Sequence, residues 1–149
     1  MSDLPAKHKV YVYTDGSYSS QYAHRYAGAF LVYKGTQCIY KDSGCGTKAI
    51  SMRNVAGELS AAMRAAYWLK KNNYKGVIVY DYEGVEKWLT GAWTARNQYT
   101  QAYVKFMKPY LKDGWISFKW VKAHNGDLGN HMADAQAKSA LKAKKEWNL

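Results

Sequence analysis

What most constrains this chain is a change in hydrophobic period near residue 54. Upstream, residues 8–15 set Val10, Val12 and Thr14 against Tyr11, Tyr13 and Asp15, the two-residue alternation of a strand. Residues 26–33 and 37–41 read as two more strands about a turn at Lys34-Gly35, which predicts an antiparallel meander. From Asn54 onward, Val55, Leu59, Ala62, Ala66 and Leu69 recur at helical steps. Asn54 is placed to cap that helix, and Asn72-Asn73 to end it at about Lys71. Residues 77–82 form a short apolar run that suits a buried parallel strand. Helical stretches at 85–89 and 98–111, an alternating strand at 115–122 and a basic helix at 132–144 complete the order. The order β-β-β-α-β-α-α-β-α predicts an α/β fold: a five-stranded mixed sheet flanked by helices, in one domain over residues 1–149. Its core is expected over about 9–143, with a basic tail at 138–149.

The net charge is +11, from 22 Lys and Arg against 11 Asp and Glu. So large an excess repels itself, and a polyanion compensates it; nucleic acid comes first, with an anionic membrane surface left open. No apolar run approaches the ~20 residues that span a bilayer. Residues 1–9 lack the apolar stretch of a secretory signal, so the cytoplasm is the expected location. Cys38 and Cys45 are too few for a disulfide framework and are expected to be reduced.

Carboxylates are scarce here, so their positions carry information. Asp15 closes the first strand and Asp81 the apolar strand, and the carboxyl ends of such strands are where α/β sheets place their sites. Glu58 borders the buried stripe of the long helix, and Asp134 opens the last one. Singly, each has an ordinary role in a turn, a cap or a helix terminus. Together, four carboxylates at one end of a sheet repel unless cations neutralise them. Hard oxygen ligands suit Mg²⁺ or Mn²⁺, and two such ions roughly 3.5–4 Å apart serve phosphodiester hydrolysis.

At this point the sequence resembles the type 1 ribonucleases H. The resemblance rests on Thr14-Asp15-Gly16-Ser17, on Arg53-Asn54-Val55-Ala56-Gly57-Glu58-Leu59 and on Tyr80-Asp81-Tyr82-Glu83-Gly84-Val85. Trp120-Val121-Lys122-Ala123-His124-Asn125-Gly126-Asp127, followed by Asn130 and Ala133-Asp134, completes the set. It implies an endoribonuclease that cuts the RNA strand of an RNA–DNA hybrid with Mg²⁺, acts as a monomer and has no need of a membrane. Asp15, Glu58, Asp81 and Asp134 match the family's metal-binding carboxylates, and His124 its auxiliary histidine. Gly16, Ser17, Arg53 and Asn54 match the segments that read the RNA 2′-hydroxyls; Asn54 competes with its plain capping role. Trp88 and Trp93 are candidates for lining a DNA-strand groove, whereas Trp68, Trp115 and Trp120 fall at core spacing.

Some departures stand out. Between Gly84 and Tyr99 there is too little chain for the basic protrusion of some bacterial members, and only about eight residues precede the first strand. Lys75, Lys105, Lys108, Lys112 and the lysines of 138–145 are left to supply affinity. His131 stands where many members carry Glu, Tyr82 where many carry Ser or Thr, and Ala123 where Gly is common. Two other readings remain: a DNA nuclease of the same fold, and a hybrid-binding module without catalysis. A DNA nuclease would not need the His124 loop, and a binding module would not need all four carboxylates. Walker-type phosphate loops and paired zinc ligands are not found.

Overall fold

The computed structural model describes residues 7–122 and 128–148. Five strands, β1 (Lys7–Ser17), β2 (Tyr26–Lys34), β3 (Gln37–Gly46), β4 (Tyr74–Tyr80) and β5 (Ile116–Trp120), make one sheet in the order β3-β2-β1-β4-β5. β1, β2 and β3 pair antiparallel, while β4 runs parallel to both β1 and β5. The helices are α1 (Asn54–Lys71), α2 (Gly84–Thr90), α3 (Gln98–Lys112) and α4 (Leu128–Ala143). This is the expected mixed sheet with its helical cover.

The alternation within β1 explains the two layers. Val10 and Val12 face one way and join Phe30, Val32 and Ile78 under the Leu59, Ala62, Ala66 and Leu69 stripe of α1. Each buried Val, Leu, Ile or Phe side chain among them contributes about 1.5–3 kcal/mol. α4 lies on the other face, where its Ala140 and Leu141 pack on Ala27, and Gly129 sits so close to the Tyr13 ring that a Cβ would strike it.

Beyond α4 the chain turns back as a strap around the outer edge of β3. The Cys45 N–H donates to the Lys145 carbonyl at 2.8 Å. Trp147 reaches the α1 side, stacking with Phe30 at 6.4 Å between ring centroids beneath the Arg64 guanidinium. The buried Asp42 fastens it, accepting from the Asn148 backbone N–H at 3.2 Å and side-chain amide at 3.0 Å.

Four expectations need correcting. β3 continues past residue 41 to Gly46, because β2 pairs with it all the way back to Tyr26. α4 begins at Leu128 rather than 132, so Asp134 lies in its second turn instead of opening it. Asn54 does not cap α1: a 3-10 turn at Ile50–Met52 runs straight into the helix, and Arg53 takes the capping position without a side-chain bond. Trp120 is 51% exposed, because it is the last residue of an edge strand. Cys38 and Cys45 are both free thiols.

Candidate active site

Parallel pairing brings two chain ends to one place. Tyr13 stands opposite Val79 across β1 and β4, so two residues later Asp15 comes level with Asp81. The entry of α1 then packs backbone to backbone against β1 and β2. A Cβ on Gly57 would run into the Ala27 carbonyl, and one on Gly16 into the Asn54 carbonyl, so no larger residue allows this approach. Glu58 is thereby pressed beside Asp15; the two residues are 3% and 5% exposed. Asp15, Glu58 and Asp81 each offer an oxygen within 4.8 Å of the others.

Asp134 lines the same cavity, of about 330 Å³, together with Gly16, Asn54 and Tyr82. Its carboxylate stands apart from the close group of three, and its Oδ2 pairs with Lys138 Nζ at 3.0 Å. The i,i+4 spacing of Asp134 and Lys138 was a readable signal for that pair. His124 lies outside the described residues.

So much buried negative charge is costly. Burial, followed by the charges of Asp81 and Asp134, pushes the Asp15 carboxyl up to about 6, against a hydrogen bond with Glu58 that holds it lower. Burial and the neighbouring Asp15 raise Glu58 well above the ordinary range. Glu58 Oε1 is buried and has no hydrogen-bond partner. A buried, partnerless carboxylate oxygen beside two more carboxylates fits a hard divalent cation, which would supply the missing counter-charge.

Two contacts that the sequence did not announce fix the rim. The Trp120 indole N–H donates to the Asp81 carbonyl at 2.9 Å, tying the end of β5 to the residue after β4. Arg53 adopts φ 54°, which is rare outside glycine, and lays its guanidinium over the Tyr18 ring at 5.6 Å. That contact joins the entry of α1 to the segment after β1, and of the four residues expected at the RNA strand Gly16 and Asn54 line the acidic cavity. Ser17 is buried and lines the adjoining cavity with Tyr18 and Lys138. Trp88 is half-buried in a cluster with Tyr82 and Trp93, at 6.0 and 5.5 Å between centroids.

The family model for RNase H matches residues 7–142. The chain belongs to the RNase H family. Among curated RNase H proteins, that of Orientia tsutsugamushi is 27% identical over 147 residues, covering 91% of this chain and 82% of its own. That of Polaromonas naphthalenivorans is 29% identical over 145 residues, covering 89% and 86%. RNase H1 from the archaeon Halobacterium salinarum superposes with a TM-score of 0.74 at 22% identity, over 91% of this chain and 99% of that one. LC11-RNase H1, solved in complex with an RNA/DNA hybrid, gives 0.73 at 12% identity, over 90% and 97%. At such identities these two structures speak for the fold alone.

Proposed function

We propose that this protein is an endoribonuclease that cuts the RNA strand of RNA–DNA hybrids with the help of divalent metal ions. The observation that carries this reading is the convergence of Asp15, Glu58 and Asp81 within 4.8 Å at the carboxyl end of a parallel strand pair, in a chain of net charge +11. A family in which relatives are named ribonuclease H supports the substrate class.

In this reading Asp15, Glu58 and Asp81 hold Mg²⁺, with Mn²⁺ able to replace it, and Asp134 completes the set from the cavity wall once it leaves Lys138. Held there, a pair of such ions would supply activation of a water and stabilisation of the leaving oxygen of the cut phosphodiester. His124 assists proton transfer or product departure. Gly16, Ser17, Arg53 and Asn54 contact the RNA strand, whose 2′-hydroxyls distinguish it from DNA. Trp88 and its ring neighbours line the path of the DNA strand. The protein acts as a monomer, and its free thiols suit the cytoplasm.

The deciding experiment incubates the protein with labelled RNA–DNA hybrid, duplex DNA, duplex RNA and single strands. Only the hybrid's RNA strand should be cut, in Mg²⁺ and not in chelator, leaving 5′-phosphate and 3′-hydroxyl ends. Efficient cutting of duplex DNA would favour the DNA-nuclease reading. Tight hybrid binding without cleavage in any divalent metal would favour the binding module.

A further inference from the structure

A second surface, on the helical layer, has a chemistry unlike the acidic cavity. Leu59, Ala62, Ala66 and Leu69 spend one face of α1 on the core. Ser60, Met63, Arg64 and Tyr67 recur at i, i+3, i+4 and i+7 on another, where α3 contributes Phe106. These five line a cavity of about 380 Å³. Ser60 and Met63 also line a neighbouring hollow that reaches Met52, Tyr99 and Lys48, so the two run together as one groove along the α1–α3 seam.

The groove's floor is apolar, and cations border it: Arg64 and Lys48 line it and Lys71 lies over its Tyr67. α1 and α3 carry Arg64, Lys70, Lys71, Lys105, Lys108 and Lys112, and their one carboxylate is Glu58, buried in the other site. No Asp or Glu lines either hollow among the described residues. Lys71 lies over the Tyr67 ring at 5.8 Å and Lys70 over Tyr110 at 5.9 Å, which keeps these charges close to the aromatic surface. Tyr67 itself is 44% exposed.

We propose that this groove docks a short acidic peptide segment of a partner protein, which inserts one or two large apolar side chains between Met63, Tyr67 and Phe106 and sets its carboxylates against Arg64, Lys70 and Lys71. Charge complementarity selects the acid, and the cavity selects the apolar anchor. An amphipathic chain satisfies both halves at once, as in other groove-type peptide recognition. A nucleic-acid strand would meet the same cations, but its regularly spaced phosphates want a continuous basic track. Here Lys48, Arg64 and Lys71 border a floor that includes a methionine and a phenylalanine, while Lys105, Lys108 and Lys112 line a separate hollow beside Asp113.

The test uses the whole chain and fluorescein-labelled seven-residue peptides on four patterns: acidic with Leu, Phe or Trp, acidic only, apolar only, and basic with the same apolar residues. A labelled oligothymidylate serves as the nucleic-acid probe. Anisotropy should show micromolar binding for the first pattern and at least tenfold weaker binding for the other three. Tyr67→Glu and Lys71→Glu, both at exposed positions, should each lower that affinity about tenfold or more, with circular dichroism and hybrid cleavage unchanged. Added salt should weaken binding without abolishing it, because the apolar anchor remains. Failure of every acidic–apolar peptide to bind would overturn the proposal. So would binding that ignores both substitutions, or oligothymidylate binding lost in those variants when no peptide binds.

Discussion

Among its described residues the protein buries carboxylates in two places and treats them in opposite ways. Asp42 has a fully buried side chain and is surrounded by donors: its neighbour's N–H, Lys145 Nζ at 3.4 Å, and both amide groups of Asn148. Asp15 and Glu58 are buried just as deeply beside further negative charge, and one Glu58 oxygen has no partner. Burying an ion is tolerable only when its lost hydration is replaced. At Asp42 the protein makes the replacement itself, and the result is architecture. At Glu58 one oxygen is left without such a replacement, which is what the proposed divalent cation would supply.

The contrast breaks most readily on activity. Asp81→Asn should lower hybrid cleavage ~10³-fold or more, at the upper end of what losing one charge-stabilising group costs. Hybrid affinity should hold or rise, because a negative charge facing phosphate is gone. Single-turnover cleavage beside anisotropy in chelator separates the two effects, and equal losses in both would remove Asp81 from the reacting centre.

Stability should move in opposite directions at the two places. Asp42→Ala strips the strap of its anchor and should cost about 2–3 kcal/mol, several degrees of Tm, without changing the folded protein's chemistry. Asp15→Asn should do the reverse in chelator at pH 7, raising stability by about 1–3 kcal/mol. The Asp15 carboxyl binds its proton more tightly folded, at about 6, than unfolded, near 3.8. Its contribution is therefore fully present below pH 4 and is lost as pH rises through 6. Metal-free wild type should show that decline relative to Asp15→Asn, and Mg²⁺ should reverse it. Thermal melts from pH 4 to 8 measure this, and parallel curves for the two proteins would contradict it.

The smallest effect sharpens the comparison at the rim. Trp120→Phe keeps a ring but removes the N–H that holds the Asp81 carbonyl, a bond worth about 1 kcal/mol. Mn²⁺ affinity by calorimetry should fall about fivefold, with little change of Tm in chelator because Trp120 is half-exposed. Unchanged affinity would show that Asp81 needs no such tether.

Most of the fold was readable because its elements have clean periods. Val10 and Val12 mark a strand, and Leu59 to Leu69 mark a helix, whatever surrounds them. Asp15, Glu58 and Asp81 could be singled out because scarce acids fell at strand ends and beside an apolar stripe. What escaped was non-local. The capping of α1 depended on a preceding turn, the length of β3 on how far β2 runs beside it, and the exposure of Trp120 on which strand lies at the edge. Nothing near Asp42 in sequence announces Lys145 or Asn148. The pairing of Asp134 with Lys138 was visible in the spacing, but not its distance from the other three carboxylates.

The strap around β3 also bears on how copies of the protein behave toward one another. An outer strand with open N–H and C=O groups is a template on which a second chain can add itself, the first step toward aggregates. By engaging Cys45 and laying Trp147 across Gly44, the strap occupies the stretch of that strand where its side chains are most deeply buried. The remaining stretch carries Gln37 and Lys41, polar and charged groups that discourage a neighbour. Loosening the strap, which crosses β3 level with Asp15 two strands away, would thus show in concentrated solution as self-association.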